Sequence, residues 1–464
     1  MRSAMQDTVT APAEPLAHVL KRRHLTMLGL GGVIGAGLFV GSGAGIAVAG
    51  PGIVLSYLIA GALATLVMRM LGEMSAAMPA SGAFSVHAER ALGRWAGFSV
   101  GWLYWLLLVV VLAVEATGAA RIAAGWLPVV PQWGWVLLFM VVFTAANLAA
   151  VRTFGEAEFW FAALKVAAIV AFLLIGVAAV LGWLPGREPV GMTNLTGQGG
   201  FLPNGWAGVV SGVLAVVFAF GGLEVVTIAA AESDDPARNV ARAVRSAVWR
   251  ILFFYVGSML VVVALLPWTQ MRPGLSPYVM VLDAVGVPAA GQVMDVVVFV
   301  ALLSALNANL YGASRMVFSL AERGEAPRGL LEVSAGGVPR RAVLASVAFG
   351  FASVLLNLKW PDSVFLYLLN SVGAVLLFVW ALIAVSQLRL RRRIEAASPE
   401  SLTLRMWGFP WLTWAALAGM TGVLVLMLRE DATRPQVLWS SGATAAVVAV
   451  ALLRERRSRR TRRA

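Results

Sequence analysis

Windows of about 20 predominantly apolar residues recur along this chain, each long enough to cross a ~30 Å hydrocarbon core. In such a medium every backbone N–H and C=O must be satisfied internally, and segments of this length do so as helices. Of 464 residues, 60% are hydrophobic and 13% are charged, with a mean hydropathy of +0.83. A soluble domain carries about 25% charged residues. The expected fold is therefore an all-α polytopic membrane protein. Twelve spans fit the pattern, at 26–47, 51–72, 96–121, 133–151, 157–182, 206–231, 249–268, 289–321, 341–357, 363–386, 408–428 and 437–453. Only Gly50-Pro51-Gly52 separates the first two, which reads as a hairpin. The apolar run after Lys21-Arg22-Arg23 outlasts a signal-peptide core, so no cleavable leader is expected.

Twelve spans put both termini on one side, and the basic residues select it. Of the 36 Lys and Arg, only Arg121, Arg187, Arg272, Lys359, Arg429 and Arg434 fall in outer loops if the N-terminus is inside. Lys165 and Arg315 lie within spans, and all the others are in inner segments. That asymmetry is the positive-inside rule and predicts a cytoplasmic (inner) membrane protein with both termini cytoplasmic. The net charge of +13 is then mostly orientation, together with attraction of basic inner loops to anionic lipid. Nucleic acid is not expected as a partner. Ser233-Asp234-Asp235-Pro236 reads as a helix start, with Arg238, Arg242 and Arg245 following on one basic face.

Other chemistries are excluded by what is missing. Cysteine is absent, which removes disulfides, iron–sulfur clusters and thiolate metal sites. His18, His24 and His87 lie in or beside the expected loops, so neither a histidine relay nor a histidine metal site is expected. No catalytic grouping occurs inside the spans, so an enzyme is not expected. Cofactors and metals are expected to be none.

Within the first span, Leu28 to Gly43 is studded with glycine and centred on Gly35-Ala36-Gly37. Each glycine costs about 1 kcal/mol against alanine in a helix interior. Such a run either packs very closely against a neighbour or breaks, and broken backbone at membrane depth must line a cavity or be buried in protein. A second run, Phe218-Ala219-Phe220-Gly221-Gly222-Leu223-Glu224, falls in span six. Spans one and six open two blocks of five, and five is odd, so the second block enters from the opposite side. Matched glycine breaks in such blocks are the sequence pointer to a midplane site in an inverted repeat, which favours the break.

Gly35 lies nine residues beyond Thr26, about 14 Å along a helix and close to the bilayer centre. A break there frees N–H groups at the start of a half-helix from Leu38 onward, which suits a carboxylate. The carbonyls left near Val33 and Ile34, and those before Gly221, suit an ammonium. The gap fits a zwitterion.

Ionisable residues inside the spans are few: Glu115, Lys165, Glu224 and Arg315, with Glu232 near an inner end. Each is costly in lipid and marks a partner or a pathway. A buried lysine readily gives up its proton, so Lys165 is a candidate coupling group, or the permanent partner of Glu115 or Glu224. Arg315 can snorkel outward. Ser304, Asn307, Tyr311 and Arg315 form one stripe on span eight, and Tyr104, Leu108, Val111 and Glu115 one face of span three. Tyr367, Asn370 and Ser371 add polar groups to span ten. Any of these polar groups can also act as interhelical glue.

The sequence RHLTMLGLGGVIGAGLFVGSG closely resembles the first-span signature of bacterial amino acid permeases, in the amino acid transporter branch of the amino acid–polyamine–organocation superfamily. The similarity extends to PGIVLSYLIAG, RMLGEMSAAMPASGAFSVHAERALG, FWFAALKVAAIV, FAFGGLEVVTIAAAESDDPARNVARAV and NANLYGASRMVFSLAERGEAP. It covers most of residues 20–390. The resemblance implies a five-plus-five inverted-repeat core with broken helices one and six, and proton-driven uptake of an amino acid. It implies a substrate α-carboxylate against Gly35-Ala36-Gly37, with Phe220 to Gly222 shaping the side-chain end. Lys165 sits where relatives carry a lysine thought to replace a sodium ion, and Glu224 and Glu232 match acidic positions of the sixth span. Relatives often have a polar residue where this chain has Leu223. GFLPNGWAGVV, EVVTIAAAES and VVVALLPW look most like γ-aminobutyrate and neutral amino acid permeases.

The implied organisation is a disordered tail at 1–20, a ten-helix core at 21–386, a basic linker at 387–405, helices eleven and twelve at 406–453 and a basic tail at 454–464. An exchanger without net proton flux and a non-transporting sensor are the other readings.

Overall fold

A computed structural model describes residues 34–78, 83–149, 154–184, 189, 191–224, 236–334, 337–431 and 433–461. Val33 and Glu232 lie outside the described residues. Every expected span has a helical counterpart. The chain runs through α1 (Ala36–Phe39), α2 (Gly41–Ala49), α3 (Ile53–Ala77), α4 (Ala83–Leu92), α5 (Arg94–Trp126), α6 (Gln132–Ala149), α7 (Phe154–Val180), α8 (Gly205–Val216), α9 (Pro236–Leu265) and α10 (Pro277–Val285). It continues through α11 (Ala290–Glu322), α12 (Arg340–Lys359), α13 (Val364–Ala397), α14 (Trp411–Arg429) and α15 (Arg434–Thr461). The α2–α3 junction is a 3-10 turn at Gly50–Gly52, with Gly50 at φ +59°. α2 and α3 both pack against α8.

Helix α5 packs along α11 and α13 in the interior. Its buried run extends from Ala96 to Ala120, and its apolar residues leave no amphipathic stripe to distinguish one face. By contrast α6, α7, α12, α14 and α15 expose Leu138, Leu174, Leu355, Val425 and Leu438. Such surface would be an association patch in water; on a membrane protein it faces lipid. Exposed Trp126, Trp183, Trp206, Trp360 and Trp411 stand at or near helix ends, where amphipathic rings sit at headgroup level.

Three local expectations change. Arg238, Arg242 and Arg245 are exposed as expected, but the basic helix and span seven are one continuous helix, α9, beginning at Pro236. Two short helices, α4 and α10, occupy stretches without a span-length apolar signal. The expected linker is not all linker: α13 runs on to Ala397, because polar residues past the apolar span find buried partners there. Glu73 of α3 accepts hydrogen bonds from Gln387 Nε2 (2.7 Å), from the Met406 backbone N–H (2.5 Å) and from Arg391. Arg69 donates to the Arg405 carbonyl at 2.9 Å. These contacts bind the start of the last two spans to the core.

His87 also moves from its expected place. It is buried on α4 and shares a 3.1 Å hydrogen bond with Ser75. Burial, with the Arg90 charge adding to it, depresses its pKa from 6.5 to about 3.

Candidate functional site

Among the described residues, the helix of the first span starts at the glycine run. Gly35 has a non-helical backbone (φ −148°, ψ −146°) and precedes the four-residue α1, which is offset from α2 at Val40 (φ −124°, ψ −46°). The Gly35 carbonyl accepts from Leu38 and Phe39 at 3.2 and 3.1 Å. The Ala36 N–H points to Glu115 of α5, whose oxygens lie 3.1 and 3.2 Å away. The half-helix start therefore binds a carboxylate, as its dipole and free donor favour, and in this structure that carboxylate belongs to the protein. Absence of a side chain at Gly35 leaves the room: a Cβ there would lie 2.5 Å from Glu115 Oε1.

Among the described residues, the helix of the sixth span gives way before its glycine pair. Helix α8 ends at Val216, a 3-10 turn covers Val217–Phe220, and Gly221 is extended (φ −66°, ψ 143°). Gly222 has φ +98°, a conformation that disfavours any side chain. Its N–H donates to Glu224 Oε2 at 2.9 Å, and Glu224 Oε1 accepts from the indole N–H of Trp380 on α13. Both freed amides are thus capped by buried carboxylates.

The two breaks touch. A Cβ on Gly37 would lie 2.7 Å from Ala219 Cα and 3.0 Å from the Phe218 ring, so only glycine allows this approach. Ile34, Ala36, Leu38 and Phe218 are all buried, and Gly221 lies beside Leu376 of α13. Phe220 turns away from it and packs between Tyr57 and Tyr255, at centroid distances of 5.9 and 5.1 Å. Phe218 is therefore the ring that faces Gly37.

Lys165 is fully buried on α7. Of its two expected partners, Glu115 acts on it electrostatically, but the ion pair it forms is with Glu158, at 3.9 Å. Sequence reading missed Glu158, because it stands at the second residue of the expected span, where a charge ordinarily snorkels to the interface. The available signal was spacing: positions 158 and 165 are two helical turns apart on one face. The span-eight stripe splits among neighbours. Ser304 donates to Glu158, Asn307 accepts from Asn147 of α6 at 2.8 Å, and the Arg315 guanidinium stacks 3.5 Å from the centroid of Tyr311.

These features define an all-helical polytopic membrane protein in which the start of α1 and the 3-10 turn at Val217–Phe220 meet at Gly37 and Ala219. A family model described as amino acid permease matches residues 24–454, and the chain belongs to that family. It is 49% identical to a γ-aminobutyric acid permease of Bacillus subtilis over 92% of each chain. It is 50% identical to the aromatic amino acid transport protein of Corynebacterium glutamicum over 91% of this chain and 92% of that one. A γ-aminobutyric acid permease of Escherichia coli is 46% identical over 90% of each. Among solved structures, a manganese transporter of Eremococcus coleocola superposes with a TM-score of 0.55 at 14% identity, covering 93% of this chain and 92% of that one. That likeness is one of fold.

Proposed function

We propose that this chain is a secondary carrier that imports an amino acid, neutral or γ-aminobutyrate-like, across the cytoplasmic membrane together with a proton, by alternating access. The observation that carries the reading is the apposition of two broken spans at Gly37 and Ala219, with a free amide at Ala36 already engaging a carboxylate. A substrate carboxylate takes that amide by displacing Glu115, and carbonyls near Val33, Ile34 and Phe220 take the ammonium. The names of the relatives support an amino acid as the cargo. Residues 21–386 form the five-plus-five inverted-repeat core, with both termini cytoplasmic as the arginine distribution favours.

A proton is the coupling ion, and no cofactor takes part. Lys165, Glu115, Glu224 and Glu232 carry the coupling. Lys165 is poised for it because a lone buried ammonium is unstable without carboxylate partners. The test is uptake into liposomes holding purified protein, with a panel of amino acids and γ-aminobutyrate as competitors. Accumulation under an inward proton gradient, abolished by Lys165→Ala, is the expected result. Exchange of internal for external substrate with no response to the gradient would establish an exchanger, and the absence of any uptake would refute the carrier reading.

A further inference from the structure

Glu158 has no part in either break, yet it is completely buried. Both of its oxygens accept the Ser304 hydroxyl, at 3.0 and 2.9 Å, which anchors it to α11. Lys165 Nζ lies 3.9 Å from Oε1, within reach of direct contact after a small shift or through one water. Lys165 also feels the charge of Glu115, which stands at the Ala36 amide. One buried cation thus faces two buried carboxylates. With all three groups ionised, these three carry one excess negative charge in a buried site, and burying charge costs several kcal/mol. A single added proton removes that excess.

The order of these groups along the membrane normal is informative. In the orientation proposed above, Glu158 lies about 10 Å nearer the cytoplasmic end of α7 than Lys165, at 1.5 Å per residue. Glu115 stands at the Ala36 amide. Around this set, Ser304 of α11 donates to Glu158, Tyr255 of α9 lies within electrostatic reach of Glu115, and Tyr278 of α10 packs on Phe172, seven residues beyond Lys165 on α7.

We propose that Glu158 is a proton-coupling residue, the station through which the coupling proton leaves Lys165 for the cytoplasm. The Lys165 ammonium gives one proton to the Glu158 carboxylate, leaving a neutral amine and a neutral acid. The acid then passes that proton to water at the inner end and returns to the carboxylate. Ser304 acts as a positioning residue by holding the carboxylate on the inner side of Lys165. The inference rests on the proton-coupled reading above.

Glu158→Gln tests it, since the amide still accepts from Ser304 but cannot take the proton. In proteoliposomes, accumulation under an inward proton gradient is expected to fall about tenfold or more, while counterflow between equal internal and external substrate persists within about threefold. Counterflow needs no net proton release, so a merely structural residue would lose both. Wild-type accumulation in Glu158→Gln overturns the proposal, and so does parallel loss of accumulation and counterflow. Should this variant fail to reach the membrane, Ser304→Ala decides: it keeps the carboxylate and is expected to shift the pH profile of accumulation, and an unchanged profile overturns the proposal. If the wild-type protein itself ignores the proton gradient, the proton-coupled reading fails instead.

Discussion

The two breaks solve the same problem with different reach. At the first, the orphaned Ala36 N–H is capped by Glu115, 79 residues away on another helix. At the second, Gly222 is capped by Glu224, two residues on, and the distant contribution is the Trp380 indole that holds Glu224. Breaking a helix in a membrane exposes backbone groups that cost several kcal/mol each unless satisfied. The sixth span carries its own cap within the motif FGGLE. The first carries none, so its geometry depends on where α5 places Glu115. A cap that comes from elsewhere can leave when another carboxylate arrives; a local one leaves only if the loop itself rearranges. On the proposed function, the first break is the one expected to respond to substrate, and the second the one expected to stay fixed.

The largest effect is expected where the two breaks meet. Gly37→Val puts atoms into the space of the Ala219 backbone, which cannot yield as a flexible side chain would. Overpacking of this kind costs about 1–3 kcal/mol, and separating the breaks should reduce uptake to background while the protein still reaches the membrane, as measured by surface labelling. Next, Glu115→Gln keeps the shape but removes the charge from the Ala36 cap. Hydrogen bonds to charged groups are worth about 1.5–3 kcal/mol, so uptake should fall roughly tenfold to a hundredfold.

A smaller loss should follow Trp380→Phe, because Glu224 retains the Gly222 N–H after the indole is gone. Uptake about tenfold lower, through a reduced maximal rate, is the expected outcome. Losses as large as those of Glu115→Gln would erase the distinction between a distant and a local cap. The smallest effect concerns a third place altogether and serves as the control for acid effects at both breaks. His87 prefers its neutral form in the fold, with a pKa near 3 against 6.5 when unfolded. Its contribution to stability is therefore complete above pH 6.5 and declines as pH falls toward 3, by about 1.4 kcal/mol per pH unit. Thermal unfolding in detergent should show a flatter acid limb in His87→Gln.

Both breaks were legible in the sequence because glycine and mid-span position are local properties, visible without knowing any partner. What caps them was legible only in part. Glu115 and Glu224 stood out as charges inside apolar runs, but their acceptor roles depend on which helices pack together. Glu158 escaped because its position near the start of a span made burial unforeseeable; its buried partners are Ser304 on α11 and Lys165 on α7. Glu73 and Arg391 escaped for the same reason, each standing near a span end until α13 extends past its apolar segment. Lys165 stood out as a candidate coupling group from its charge inside an apolar span, whereas its ion-pair partner Glu158 is visible only in the structure.

The account stands or falls on whether substrate occupies the junction of the breaks. The chain has no cysteine, so Phe218→Cys introduces a single thiol beside Gly37 for labelling by a membrane-permeant maleimide. The amino acid that competes best for uptake should slow labelling about tenfold or more at saturating concentration, with a non-competing amino acid having no effect. An identical labelling rate with and without the transported amino acid would contradict a site at the two breaks.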